Sequence, residues 1–323
     1  MPYHRAVPTI ERIFAACAPG LEPILADELT SLGLTATALG GGVDATGEAA
    51  AAVACLGSRV AEAVRLRAFD GPAADLGKAK VEALRRFGPG AELLVRRDSG
   101  RATLSVEAAG EPLFKRGWRA RVGAAPLRET LAAGLLLACG WEGDRPFLDP
   151  MCGSGTIVIE AALMAGRRAP GLARPFAFER FPEHDRRATE AVRARLAAQA
   201  RPITCTLHAS DRNMGALRLA QKNAAAAGVA DRIHFVRADA AEAEEPPGGA
   251  GLLLTNPPYG LRLDEDAAGA WRALARLARR LGGWEVAAIG PERGFEAPLP
   301  DPPSGVLEVQ NGGVRCRLSR WRA

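Results

Sequence analysis

From Leu127 onward, short apolar runs alternate with stretches of helical period, and this alternation constrains the fold more than any other feature of the chain. Strands are predicted at 146–149, 204–209, 232–236, 251–255 and 285–289, separated by helices over 156–166, 213–227 and 267–281. A further helix, LRETLAAGLLLACGW, precedes the first strand. Strands separated by helices pair in parallel through crossovers, so the expected fold class is α/β, a Rossmann-like, doubly wound and mainly parallel sheet. The closing stretch, VLEVQNGGVRCRLSRW, sets Asn311-Gly312-Gly313 between two alternating runs and predicts a terminal hairpin.

The first part of the chain follows another pattern. RIFAAC (12–17) reads as a strand, and in LEPILADELTSLG the residues Leu21, Ile24, Leu25, Leu29 and Leu32 recur at helical spacing before Gly33 stops the helix. After a Gly/Ala-rich stretch come a helix at 78–88 and strands at 92–98 and 102–108 joined by Ser99-Gly100. The expected organisation is a small α+β domain over 1–112, a basic linker over 113–126 (LFKRGWRARVGAAP), and the α/β domain over 127–323.

Composition narrows the functional classes. Four lysines (Lys78, Lys80, Lys115, Lys222) leave 38 of the 42 basic side chains as arginine, and the net charge of +5 favours a polyanionic partner. The six cysteines (Cys17, Cys55, Cys139, Cys152, Cys205, Cys316) form no CxxC pair and have no short His spacing, which argues against both a zinc site and a disulfide framework. MPYHRAVPTIERIFAACAPG has no signal-peptide pattern, and no long uncharged apolar run occurs in the chain. The expectation is a soluble cytoplasmic protein, monomeric, with no metal and no membrane partner.

In FLDPMCGSGTIVIEAALMAG the first strand ends at Asp149, and a turn of Met151, Cys152, Gly153, Ser154 and Gly155 leads into a helix near Thr156. Glycine lets a ligand approach the backbone closely, and ligands bind open α/β sheets at the carboxyl ends of the strands. The turn lacks the Lys-Ser/Thr of a phosphate-binding loop and the third glycine of the dinucleotide fingerprint. Asp149 ahead of the turn would repel a diphosphate and suits a cation such as S-adenosylmethionine, with its ammonium and sulfonium groups. A tight turn with a helix-capping Ser154 or Thr156 is the alternative reading. Asp211, ending the second strand, is suited to ribose hydroxyls, with a solvated loop carboxylate as the alternative. Asp239, after the third strand, is suited to an adenine amino group, or is a surface acid in an acidic loop. The unusually long interval between the turn and Asp211 contains RRAPGLARPFAFERFPEHD (167–185) and a following helix, an expected insertion over the site.

The fourth strand ends in Asn256-Pro257-Pro258-Tyr259. Proline cannot donate to a sheet ladder, so the strand stops there and the backbone stiffens. The Asn256 side-chain oxygen and the Pro257 carbonyl then form two acceptors for the two hydrogens of a planar NH2 group, and Tyr259 offers a face for a base. Such a pair favours pyramidal nitrogen as a bond forms, a stabilisation aimed at the transition state.

DPMCGSGT followed by NPPYG resembles the class I methyltransferases that modify amino groups. PLRETLAAGLLLACGW, APGLARPFAFERFPEHD, TNPPYGLRL and NGGVRCRLSRW, with FAACAPGLEPILADEL and LFKRGWR, resemble the THUMP-associated RNA methyltransferases that make N2-methylguanosine in 23S rRNA or tRNA. The resemblance implies a seven-stranded sheet and a THUMP-like, ferredoxin-like RNA-binding unit, here shortened in its middle. It also implies S-adenosylmethionine as cofactor, with Asp149, Gly153 and Gly155 around the methionine moiety, Asp211 at the ribose, Asp239 at the adenine and Asn256 to Tyr259 at the target base. Asn213 stands where the family often has a further acid, leaving Asp211 to serve the ribose alone. RNA contacts are expected from Lys115, Arg116, Arg119 and Arg121 at phosphates and from Trp118 at a base, with a solvated basic connector and Trp118 as packing the alternative. Arg167, Arg168 and Arg174 are expected to line a substrate channel beside Phe176 and Phe178, whose alternative place is the core. Methylation of DNA adenine N6 or of a protein glutamine, and a non-enzymatic RNA-binding or assembly factor, are the competing functions.

Overall fold

A computed structural model describes residues 10–119, 127–258, 265–291 and 302–322. The chain forms two compact units, one from residues 1–17, 21–114 and 169–198, the other from 18–20, 115–168 and 199–323.

The first unit is a six-stranded antiparallel sheet with helices packed on it. In chain order its elements are β1 (Ile10–Ala16), α1 (Glu22–Ser31), β2 (Thr35–Leu39), β3 (Gly42–Glu48), α2 (Ala50–Gly57), β4 (Ala63–Pro72), α3 (Leu76–Phe87), β5 (Leu93–Asp98) and β6 (Arg101–Glu107). The strand order is β2-β3-β1-β4-β6-β5. Alternation along β1 buries Ile13 and Ala15, while Arg12 on the opposite face pairs with Asp44 at 2.7 Å. The Gly/Ala-rich stretch thus holds three strands and a helix. Its alanines conceal α2, which is buried along its whole length and shows no amphipathic stripe.

The segment expected as an insertion over the site belongs, by its own contacts, to this first unit. Phe176 and Phe178 are buried and stack at 5.8 Å. Gly171 N donates to Leu56 O (3.0 Å) and Phe178 N to Ala108 O (2.9 Å). Apolar burial and backbone pairing therefore fix the segment and the helix that ends it here.

The second unit contains α4 (Glu129–Ala138), β7 (Phe147–Asp149), α5 (Thr156–Ala165), β8 (Leu207–Ser210), α7 (Met214–Ala226), β9 (His234–Val236), β10 (Leu252–Thr255), α8 (Glu265–Ala278), β11 (Glu285–Pro291), β12 (Gly305–Asn311) and β13 (Val314–Arg322); α6 (Arg186–Ala197) lies in the first. Its seven-stranded sheet runs β12-β13-β11-β10-β7-β8-β9. β7 pairs in parallel with β8 and β10, and β10 with β11. β13 is antiparallel to β11 and β12, forming the expected hairpin. The fully buried Leu-Leu-Leu-Thr of β10 is what a central parallel strand covered on both faces requires. Leu148 and Leu253 pack with Trp271, Leu274 and Leu277 of α8. Phe147, one residue from Leu148 and so on the other face, meets Trp141 at 5.0 Å.

Among the described residues no helix is long and apolar enough to cross a membrane, and no group of three or more His, Cys, Asp or Glu could hold a metal ion. Leu253→Ala, at a fully buried position in the middle of the sheet, is expected to cost about 2–5 kcal/mol in urea unfolding of the purified chain.

Candidate active site

β8 and β10 flank β7 on opposite sides, so the carboxyl end of β7 is the point where chain order reverses, the usual ligand crevice of such sheets. Asp149 ends β7 and Thr255 ends β10. Both are buried, at 1% and 0% exposure, and Thr255 Oγ1 donates to Asp149 Oδ1 at 2.8 Å. Met151 N donates to the same oxygen at 3.3 Å. Burial pushes the Asp149 carboxyl up to about 7, against these two donors and with a further push from Asp211.

The turn after Asp149 is held from β8. Cys152 N donates to Ser210 O (2.9 Å), and Gly153 N donates to Asp211 Oδ2 (2.9 Å). Asp211 Oδ1 accepts from Asn213 N (2.7 Å), and Asn213 caps α7 by accepting from Gly215 N and Ala216 N. Asn213, where a further acid was expected, thus starts a helix instead. Gly153 and Gly155 have positive φ, 52° and 84°. A Cβ on Gly155 would press on Ala220 and Ile159, whereas one on Gly153 would meet nothing within 4 Å, so the turn is open there. Asn223, fully buried, donates to Ser154 O at 3.0 Å and pins the turn to α7.

On the other side of the crevice Asn256 follows β10. Among the described residues its Oδ1 is buried without a hydrogen-bond partner. An unsatisfied buried acceptor is costly, typically about 1–3 kcal/mol, and among the described residues this one stands ready for a donor on a ligand. Pro257 is buried and Pro258 exposed, while Tyr259 lies outside the described residues. Asp239 accepts from Ala241 N at 2.9 Å, opening a short 3-10 turn.

The predicted site residues Asp149, Met151 to Gly155, Asp211 and Asn256 therefore gather at one edge of one sheet. An acidic floor, an open turn with glycine backbone and an orphaned acceptor fit a cationic ligand with an NH2-bearing neighbour.

Most of the residues expected to contact RNA have partners within the chain. Arg116 is 7% and Trp118 6% exposed. Arg116 Nε lies 3.4 Å from Glu160 Oε1, and Arg119 Nε lies 3.0 Å from Glu129 Oε1. Arg174 donates to the carbonyls of Pro112 and Glu111 within the first unit. Buried ion pairing withdraws Arg116 and Arg119 from the expected phosphate contacts and Trp118 packs in the interior, while Arg174 stays partly exposed on its two carbonyls. Lys115 is exposed, and Arg121 lies outside the described residues.

Sequence reasoning missed Thr255, Asn223, Glu129 and Glu160. Asn223 left a signal, a polar residue on the stripe that buries Leu217, Ala220 and Ala224. Glu160 stands inside the apolar helix α5, where a lone acid implies a buried partner, whereas Glu129 opens α4, where an acid is ordinary and gives no signal.

The family described as UPF0020, RMKL-like, methyltransferase domain, matches residues 116–320, and the RlmL ferredoxin-like domain matches residues 12–65. The chain is 41% identical over 181 residues to a ribosomal RNA large subunit methyltransferase K/L of Vibrio campbellii, covering 54% of this chain and 26% of that protein. The chain thus spans about a quarter of that curated relative. A solved structure named a predicted N6-adenine-specific DNA methylase, from Listeria monocytogenes, is similar with a TM-score of 0.85 and 28% identity, covering 97% of this chain and 96% of the other. A possible methylase from Clostridium difficile 630 is similar with a TM-score of 0.86 and 26% identity, covering 97% and 98%.

The buried Asp149 makes a pH prediction. Its folded pKa, about 7, is raised above the ordinary carboxyl value of 3.8, so the unfolded chain binds fewer protons between those values and the group lowers stability as pH rises through that window. Asp149→Asn removes this penalty. Its stability relative to wild type should rise by about 2–3 kcal/mol between pH 5 and pH 8 in urea unfolding and level off above. A pH-independent difference would contradict the assignment.

Proposed function

The chain belongs to the UPF0020 family of RMKL-like methyltransferase domains, and from that premise we propose that it methylates the exocyclic N2 amine of a guanosine in structured RNA, 23S rRNA or tRNA, using S-adenosylmethionine. The observation that carries this reading is the orphaned, buried Asn256 Oδ1 at the sheet's switch point.

The cofactor supplies an electrophilic methyl group on a sulfonium. The chain's part is to hold it and to prepare the amine. The open Gly153 backbone receives the methionine end. Asp211, with two amides already bound, would offer its remaining lone pairs to the ribose, and Asp239 would accept from the adenine amino group. Asn256 Oδ1 and the Pro257 carbonyl accept the two hydrogens of the target amine, so its lone pair is released from the ring as the nitrogen bonds to carbon. The nitrogen becomes cationic as the thioether leaves, and it then gives up one proton to solvent. The two acceptors stabilise that developing charge, which removes the need for a strong general base.

RNA is favoured by three observations. The Vibrio relative is named for ribosomal RNA, a ferredoxin-like domain of the RlmL type covers residues 12–65, and the chain carries net charge +5. The base would leave its stack to reach the crevice, as base-modifying enzymes require. Adenine N6 of DNA is the second reading, motivated by the name of the Listeria structure. It is also an exocyclic amine, and the same acceptor pair would serve it.

Asn256→Ala tests the proposal in a methyl-transfer assay on RNA. Turnover should fall about 100- to 1,000-fold, with S-adenosylhomocysteine affinity by calorimetry within about twofold of wild type, a shift well under 1.4 kcal/mol. Wild-type turnover in the variant would sink the role of Asn256. Loss of cofactor binding with turnover at saturation intact would move Asn256 to the cofactor.

A further inference from the structure

The buried cations of residues 115–119 have no part in the chemistry above, yet they lie against the helix that follows the cofactor turn. Arg119 Nη2 donates to Leu127 O and to Thr156 Oγ1, both at 2.8 Å, and its Nε lies 3.0 Å from Glu129 Oε1. Glu129 is the first residue of α4, and Thr156 the first of α5. One guanidinium therefore joins the first turns of two helices.

Thr156 directly follows Gly155, whose N–H donates to Cys152 O at 2.7 Å, and Ser154 Oγ lies 3.5 Å from Thr156 Oγ1. A displacement of Thr156 thus reaches the turn within one residue. Arg116 meets Glu160, which lies one helical turn beyond Thr156 on the same face. The segment grips α5 at two points, which fixes both its rotation and its position along its axis.

Stability alone does not explain a cation here. Positive charge is unfavourable near helix N-termini, and burial holds the Arg119 guanidinium below its ordinary pKa range. A buried ion pair returns little more than its desolvation costs. What arginine supplies is geometry: Nη2 bonds Leu127 O and Thr156 Oγ1 while Nε lies against Glu129, so two nitrogens of one rigid plane serve three acceptors, an arrangement the single ammonium of a lysine does not reproduce.

We propose that Arg119 is a positioning residue that, through Thr156, holds the Gly153–Gly155 turn in the shape that receives the cofactor. The proposal rests on the cofactor reading above.

The test titrates S-adenosylhomocysteine calorimetrically into wild type, Arg119→Ala, Arg119→Lys, Thr156→Val and the Arg119→Ala/Thr156→Val double variant, with KM and kcat for the methyl donor and affinity for RNA. Arg119→Ala should weaken S-adenosylhomocysteine about tenfold and raise KM in step, with kcat at saturation within about threefold and RNA affinity unchanged. Lysine should not restore affinity. Thr156→Val should weaken binding about threefold, and the double variant should be no weaker than Arg119→Ala alone, because the two side chains act through one bond.

Wild-type affinity in Arg119→Ala, additive losses in the double variant, or lost RNA affinity with cofactor affinity intact would each overturn the proposal. Should Arg119→Ala fail to fold, the nearly isosteric Thr156→Val decides, and unchanged S-adenosylhomocysteine affinity there overturns it. Failure of wild type to bind S-adenosylhomocysteine would sink the cofactor reading itself. Wild-type binding with unaltered variants would sink the positioning role alone.

Discussion

The hydrogen bond from Thr255 to Asp149 is the constraint on which the site depends. It joins the carboxyl ends of β7 and β10 at the place where strand order reverses and no crossover helix fills the crevice. Everything else hangs from these two strand ends. Met151 to Gly155 continue from one, and Asn256 and Pro257 from the other. The bond therefore sets the distance between the turn that would hold a methyl donor and the acceptor that would hold an amine. It does so at a cost, because burial raises the pKa of the carboxyl to about 7 and so opposes its ionisation.

Unsatisfied and over-committed polar groups divide the labour of the second unit. Asn213 and Asn223 are spent on the protein itself, starting α7 and pinning the turn, while Asp211 holds the turn and keeps lone pairs in reserve. Asn256 Oδ1 is not spent among the described residues. Rigidity comes from the satisfied groups, and the orphan marks where a substrate atom belongs. The arginines of 115–119 belong to the first class, which is why a basic stretch that reads as an RNA contact serves the interior instead.

How legible these features were depended on how local their cause was. β10 and α8 were visible because a buried parallel strand is a continuous apolar run and an amphipathic helix has its own period, both properties of a few neighbouring residues. The turn and Asn256-Pro257 were visible because glycine and proline constrain the backbone wherever they stand. α2 was hidden by its alanines, which bury on every side. The Arg116–Glu160 pair joins residues 44 apart in sequence, and nothing near Arg116 announces its partner. The segment containing Phe176 and Phe178 was recognised as an addition to the α/β pattern, but the unit that buries it depends on contacts with Leu56 and Ala108, which spacing along the chain does not encode.

The central claim is that this crevice methylates a guanine amine in RNA. Mass spectrometry of nucleosides from ribosomal RNA and tRNA, compared between a wild-type strain and one lacking this chain, tests it most directly. The account predicts loss of N2-methylguanosine at one position and its return when the purified chain and S-adenosylmethionine are added to the unmodified RNA. Unchanged N2-methylguanosine, with loss of N6-methyladenine from DNA, would contradict it.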